Sequence, residues 1–391
     1  MRQTLIKFKA FISKVNLYGF LFALIVLSLG VVSGCRSMKF WINDEAYDNE
    51  WAMDLGSKGE MEYLSNFWGK NNFLNLNGFM RNLTGQREMN GIVKLNNGYL
   101  FTPFDRVSDE SLAGRAEDLA ALNKYLSDYD IKLLVAIAPD TSSKYDPEVP
   151  MGIPSYLNDN MDRLIPMLEK KGVEVMDFRE VIHEDGIDQY DFMYKTDHHW
   201  TTEAGFYAYG KIADWIEEKT GVAATKEVRD IDNYTITTYK NWHLGSRGQR
   251  TGLLYAGIDD FDLILPDFDT MLTNGEATGT FEELFINYEP FEVKDSISRY
   301  TYELALRQSC GNYKNLCADN DLKLFLIGDS FSEAVCPYLN ISYSEIGYLY
   351  CQQSYRLDAG YIEYFNPDVV VCLYYPENLF GPGGTAFNIP R

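Results

Sequence analysis

Three side chains in two distant stretches carry the chemistry of this chain. Lys195-Thr196-Asp197-His198-His199-Trp200 sets an acid and a base two residues apart. Leu324-Phe325-Leu326-Ile327-Gly328-Asp329-Ser330-Phe331 reads as an apolar strand that ends in a tight turn with a serine at its tip. A serine hydroxyl is a poor nucleophile at neutral pH. It needs a base to take its proton, and the base needs an acid to fix its tautomer. Ser330 as nucleophile, His199 as base and Asp197 as orienter meet that requirement if the two stretches come together. His198 competes with His199 for the base role. At a strand-to-helix turn the serine hydroxyl stands at the carboxyl edge of a sheet, and the next N–H groups can donate to an oxyanion. The geometry is that of a nucleophile elbow, although the GxSxG sequence is absent.

The elements that must position these groups follow an α/β rhythm. Asn96-Asn97-Gly98 between Ile92 and Phe101 predicts a hairpin. Ser108 or Asp109 caps a helix carrying the stripe Leu112, Ala116, Leu119 and Leu126. The run 131–138 predicts a strand buried on both faces, and 156–171 a second helix stopped by Gly172. Residues 173–178 predict a short strand. Thr201 or Thr202 caps a helix whose Ala204, Ala208, Ile212 and Ile216 share one face. Further α/β elements follow from Leu322 to Gly328, where the helix after Ser330 is expected to stop at Pro337, from Ile341 to Tyr350 and from Asp368 to Tyr375. The expected fold is α/β with a doubly wound parallel sheet. Residues 222–305 break the rhythm and predict a β-rich insertion. Within it, Arg247 and Arg250 lie in a glycine-rich loop and are candidates for substrate contact. Arg356 and Tyr374 are further candidates to line the cleft.

The chain has 391 residues, 46% of them hydrophobic, and a formal net charge of -22. Nucleic acid is excluded as a partner, because phosphate binding needs a basic surface. Aromatics reach 15%; those that are exposed suit stacking on sugar rings. Basic residues Arg2, Lys7, Lys9 and Lys14 precede the apolar run from Leu17 to Val32. That run is shorter than the roughly 20 residues a spanning helix needs and suits a signal peptide. It ends in Val32-Ser33-Gly34-Cys35, which resembles a bacterial lipobox. The resemblance implies a signal peptide over 1–34, lipid attachment at Cys35 and an extracytoplasmic protein held at the cell membrane; an uncleaved N-terminal anchor gives the same placement. Residues 35–90 then form a membrane-proximal lead-in and 91–391 the main domain. Of the six cysteines, Cys310 and Cys317 are spaced to close a small loop, and Cys336 and Cys372 stand in apolar contexts. The absence of a CxxC pair speaks against structural zinc.

Gly328-Asp329-Ser330-Phe331 resembles the nucleophile block of SGNH hydrolases. Asp197-His198-His199-Trp200 resembles the signature of bacterial DHHW proteins, which group with the SGNH-like alginate O-acetylation proteins of the AlgJ and AlgX type. In that group the Asp-x-His motif precedes the serine, a permuted order that this chain shares. The resemblance implies an O-acetyltransferase or acetylesterase acting on a cell-surface or secreted polysaccharide. It also implies the triad Ser330, His199 and Asp197, no metal or bound cofactor, and a membrane protein as acetyl donor. The alternative is a non-catalytic carbohydrate-binding or polysaccharide-assembly protein of the same fold. Manganese-dependent DHH phosphoesterases share Asp-His-His, but there it ends an aliphatic strand, which Tyr190 to Thr196 is not.

Overall fold

The computed structural model describes residues 69–292, 310–350, 356–380 and 386–388, with parts of 18–31. The chain divides into two units, Met1–Asn77 and Gly78–Arg391. Cys35 and most of the expected signal peptide and lead-in lie outside the described residues. Among the described residues no helix is long and apolar enough to cross a membrane.

Three short strands open the second unit: β1 (Glu88–Met89), β2 (Ile92–Lys94) and β3 (Leu100–Phe101). β2 and β3 pair antiparallel, as the Asn-Gly turn predicts. The central strands are β4 (Lys132–Ile137), β5 (Glu174–Asp177), β11 (Lys323–Gly328), β12 (Glu345–Tyr350) and β14 (Val369–Tyr374). They run parallel in the order β5-β4-β14-β11-β12. The insertion contributes a long antiparallel pair, β6 (Tyr234–His243) and β7 (Asp259–Pro266). It also supplies β8 (Leu272–Thr273) and β9 (Thr278–Gly279), which join β10 (Tyr313–Asn315) as an antiparallel edge of the eight-stranded main sheet. The insertion is thus β-rich in part and is built into the main sheet. A separate parallel pair joins β13 (Arg356–Asp358) to β15 (Ala386–Asn388).

Alternation along the parallel strands sorts the core into two layers. Leu134, Ala136, Leu324, Leu326, Val369, Val371 and Leu373 pack on one face with α3 (Thr202–Thr220). Leu133, Val135, Phe325, Ile327, Val370, Cys372 and Tyr374 pack on the other with α1 (Asp109–Ser127) and α2 (Leu157–Lys170). Strands covered on both faces read as continuous apolar runs, which is why they were legible. Ser108 caps α1 and Thr201 caps α3, each side chain accepting a backbone N–H of the first turn.

One expectation is corrected at the key turn. Ser330–Ala334 is a single 3-10 turn, and the α-helix proper is α4 (Cys336–Ser342). Pro337 therefore opens a helix and does not stop one. In the first helical turn its missing N–H costs nothing and its φ is already helical.

Candidate active site

The carboxyl ends of β4, β11 and β14 converge, which is where open α/β sheets place their sites. Asp329 directly follows β11 and holds the convergence. Its Oδ1 accepts the Phe331 N–H (3.0 Å). Its Oδ2 accepts the Tyr375 N–H (2.6 Å) and the Asn378 amide (2.7 Å) from beyond β14. The Tyr375 hydroxyl donates to Asp140 Oδ1 (2.8 Å) after β4, and its ring stacks on Phe331 at 4.8 Å. Burial pushes the Asp329 carboxyl up, and these donors offset it only in part. The turn is thereby fixed with Ser330 at its tip. Ser330 is 3% exposed, and its N–H donates to no group among the described residues.

Asp197 and His199 arrive on a loop closed by an antiparallel bridge between Met193 and Trp200. Trp200 ties that loop to the serine turn, its indole N–H donating to the Phe331 carbonyl at 3.0 Å. His199 Nε2 then lies 2.7 Å from Ser330 Oγ, and His199 Nδ1 lies 3.2 Å from Asp197 Oδ1. The structure brings Ser330, His199 and Asp197 together in that order. His198 makes no hydrogen bond with Ser330 among the described residues; its Nδ1 lies 2.8 Å from Asp197 Oδ1. The same nitrogen lies 2.9 Å from Ser246 Oγ, and the His198 side chain is 28% exposed while His199 is buried.

Asp197 is wholly buried and heavily donated to. The His198 N–H (2.6 Å) and the Ser246 hydroxyl (2.9 Å) reach Oδ1. His243 Nε2 reaches Oδ2 at 3.2 Å. Burial alone drives the Asp197 carboxyl up; the charge of His199 and the hydrogen bonds from His198, His199 and His243 outweigh it and hold it well below the usual carboxylate range. His243 is itself fully buried, and its Nδ1 has no partner among the described residues. Nε2 facing a carboxylate carries the proton, so its N–H donates.

The glycine-rich loop serves as the seat of Asp197. A Cβ at Gly245 would lie 2.3 Å from Asp197 Cβ, so only glycine lets the loop approach. The Gly245 and Gly248 N–H groups donate to Thr196 Oγ1 and O (2.9 and 2.8 Å). Asp259, at the start of β7, accepts from the Thr196 hydroxyl (2.6 Å) and from the Lys195 and Thr196 N–H groups. Burial pushes the Asp259 carboxyl up against these bonds.

The expected substrate contacts are placed differently. Arg247 is buried, and its guanidinium donates to the Leu100 and Asp197 carbonyls (2.8 and 3.2 Å) and to Thr141 Oγ1 (2.5 Å). It fastens the hairpin and the Asp197 loop together and is not free to reach a ligand. Arg250 donates to the Asn90 carbonyl (2.9 Å), beside the hairpin. Tyr374 is buried in the layer under α1 and α2; its neighbour Tyr375 faces the serine turn. Arg356 lies in β13, and its side chain is outside the described ones. His243, Ser246 and Asp259 were not foreseen. Their only signal is position: Trp242-His243-Leu244 runs directly into the glycine-rich loop.

Asp197, His198 and His199 bring three possible ligand atoms within 4.8 Å of one another. The donors around Asp197 oppose a cation there. N–H and O–H hydrogens already point at its oxygens, and His199 Nε2 is turned to Ser330.

Comparison with known proteins agrees with this fold. Residues 93–238 match the family described as the SGNH hydrolase-like domain of acetyltransferase AlgX. The chain has the SGNH hydrolase-like fold. The matched segment contains Asp197 and His199 and ends before Ser330. Bacillus cereus PatB1 is 20% identical over 75% of this chain and 98% of its own, with a TM-score of 0.61. PatB1 with a sulfonyl adduct matches at 18% identity, over 77% of this chain and 99% of that one, with a TM-score of 0.61. A DHHW family protein from Eubacterium siraeum is 16% identical over 77% of this chain and 98% of its own, with a TM-score of 0.54. No curated protein matches the chain.

Proposed function

We propose that this chain is a serine-dependent O-acetyltransferase of SGNH type that acetylates hydroxyls of an extracellular polysaccharide. The observation that carries this reading is the 2.7 Å contact of Ser330 Oγ with His199 Nε2, with Asp197 on the other ring nitrogen. The match to an acetyltransferase family model supports acetyl as the group moved.

The chemistry is a double displacement. Ser330 Oγ attacks the carbonyl carbon of an acetyl ester while His199 Nε2 takes its proton. The oxyanion meets the Ser330 N–H, which has no other described partner. Collapse expels the donor's oxygen or sulfur with the proton from His199, leaving acetyl-Ser330. A sugar hydroxyl, deprotonated by His199, attacks that ester and restores Ser330. Water in place of the sugar gives net hydrolysis, so the cleft's exclusion of water sets the ratio of transfer to hydrolysis. Asp197, held ionised by its donors, keeps His199 in the tautomer whose Nε2 accepts. In this reading Cys35 carries the lipid that holds the enzyme on the outer face of the cell membrane, and a membrane protein supplies acetyl.

The test incubates the protein with p-nitrophenyl acetate, with and without sugar oligomers. Nitrophenol release abolished by Ser330→Ala and His199→Ala, with acetylated oligomer formed by wild type only, supports transfer. Release without acetylated oligomer points to an esterase. Release by Ser330→Ala equal to wild type overturns the proposal.

A further inference from the structure

Cys310 and Cys336 meet beside the turn that carries Ser330. Their sulfurs lie 2.9 Å apart, closer than non-bonded sulfurs pack. Cys336 opens α4 directly after that turn and is buried; Cys310 is half-buried, just before β10. Cys310 Sγ also lies 3.9 Å from Ser332 Oγ, whose hydroxyl donates to the Asp329 carbonyl (2.5 Å). An S–S bond of about 2.05 Å needs the sulfurs to close by under about 1 Å, within the reach of side-chain rotation. The other described cysteines are placed elsewhere. Cys317 is exposed on the far side of the extended strand β10, which holds it away from Cys310. Cys372 packs in the opposite core layer. The small loop between Cys310 and Cys317 that spacing suggested is therefore replaced by a contact across the fold.

We propose that Cys310 and Cys336 form a disulfide that ties the approach to β10 onto the nucleophile turn. The oxidant is a disulfide, of the kind that oxidoreductases or oxidised glutathione supply. The more accessible Cys310 thiolate attacks one oxidant sulfur, forming a mixed disulfide and releasing one thiol. The Cys336 thiolate then attacks Cys310 Sγ and releases the second thiol. Two electrons pass to the oxidant, and the two protons end on its thiols. Burial, with Cys310 beside it, raises the Cys336 thiol well above its ordinary value and leaves it little thiolate, which is why the more accessible Cys310 attacks first; the second step relies on the 2.9 Å proximity of the two sulfurs. Formation in cells rests on the extracytoplasmic placement proposed above; the site itself does not.

The full chain, reduced and folded in detergent, is treated with oxidised glutathione, capped with N-ethylmaleimide in denaturant, and digested. Trypsin, cutting after Arg307, Lys314 and Lys323, separates Cys310 from Cys317. Chymotrypsin, cutting after Tyr338 and Tyr350, separates Cys336 from Cys351. The expected product is a linked pair containing Cys310 and Cys336, absent from Cys336→Ser. Maleimide on both cysteines, or a bridge from Cys310 to Cys317, overturns the proposal. In melting experiments, Cys310→Ser and Cys336→Ser should each lower the oxidised protein's Tm by a similar amount, with the double variant no lower. A Tm loss confined to Cys336→Ser would reveal packing and overturn the cross-link. The same digest on thiols capped at cell lysis separates the two readings. Free thiols there, with bridging by glutathione in vitro, keep the site and overturn the extracytoplasmic placement.

Discussion

Replacing His243 by Phe isolates one hydrogen bond behind the Asp197 carboxylate. The ring is fully buried, with its centroid 4.5 Å from that of Tyr194 and 6.3 Å from that of Phe261, so an aromatic replacement keeps the packing. Its Nδ1 has no partner among the described residues, so removal there leaves nothing unpaired. The one polar loss is the Nε2–H bond to Asp197 Oδ2 at 3.2 Å. A hydrogen bond to a charged group contributes roughly 1.5–3 kcal/mol. If that energy holds the carboxylate with Oδ1 toward His199, losing it lowers kcat by about 10- to 100-fold, at about 1.4 kcal/mol per factor of ten. His243 is fully buried behind Asp197, out of reach of a substrate, so KM should not change. Gln at 243 offers an amide N–H to the same oxygen and should restore part of the rate. The assay is initial-rate hydrolysis of p-nitrophenyl acetate by wild type, His243→Phe and His243→Gln, with circular dichroism to show that each folds. A folded His243→Phe enzyme with wild-type kcat refutes the reasoning. So does a loss that appears only in KM.

Three more outcomes are expected. A Cβ at Gly205 would fall 2.2 Å from Ala334 Cβ and 2.6 Å from its carbonyl oxygen, where α3 packs on the nucleophile turn. Gly205→Ala should cost about 1–3 kcal/mol of stability. It should also cut kcat by moving Ser330, whereas an unchanged melting curve would show that the two elements can part freely. Asp197 titrates well below its unfolded value of about 3.9. A depressed carboxylate contributes stability that is present above the unfolded value and lost as pH falls through the folded one. The stability gap between wild type and Asp197→Asn should therefore shrink as pH falls below about 4; a gap that stays unchanged through that range contradicts the assignment. Chelation with EDTA should leave esterase activity unchanged, because the Asp197 oxygens face N–H and O–H donors; a loss restored by added manganese would return the Asp-His-His cluster to metal chemistry.

Much of this architecture was legible because its signals are local. Runs such as 132–137 and 323–328 are apolar on both faces, which only a doubly covered strand requires. Thr201 and Ser108 announce helix starts through bonds that span a single turn. The pair Asp197 and His199 was legible for the same reason, being two residues apart. Residues that act through distant contact left no such mark. Asp259 and His243 each support the Asp197 loop from across more than forty residues of chain. Nothing in Trp242-His243-Leu244 distinguishes a supporting histidine from a core one. Arg247 misled for a related reason. Glycine neighbours suggested a loop that could reach substrate, but the glycines let the loop press against Asp197, which buries the arginine among carbonyls. The choice between Tyr374 and Tyr375 was decidable in principle. Side chains alternate along a strand, so a residue in phase with Val370 and Cys372 joins their layer. Tyr375 is in phase with Leu373 and Val371, the layer that holds Phe331 and Trp200, and so it is the tyrosine that reaches the serine turn. The general point is physical. A two-residue phase count needs only the strand. The partner of a buried carboxylate needs the whole fold, and His243→Phe tests a role that only the fold could assign.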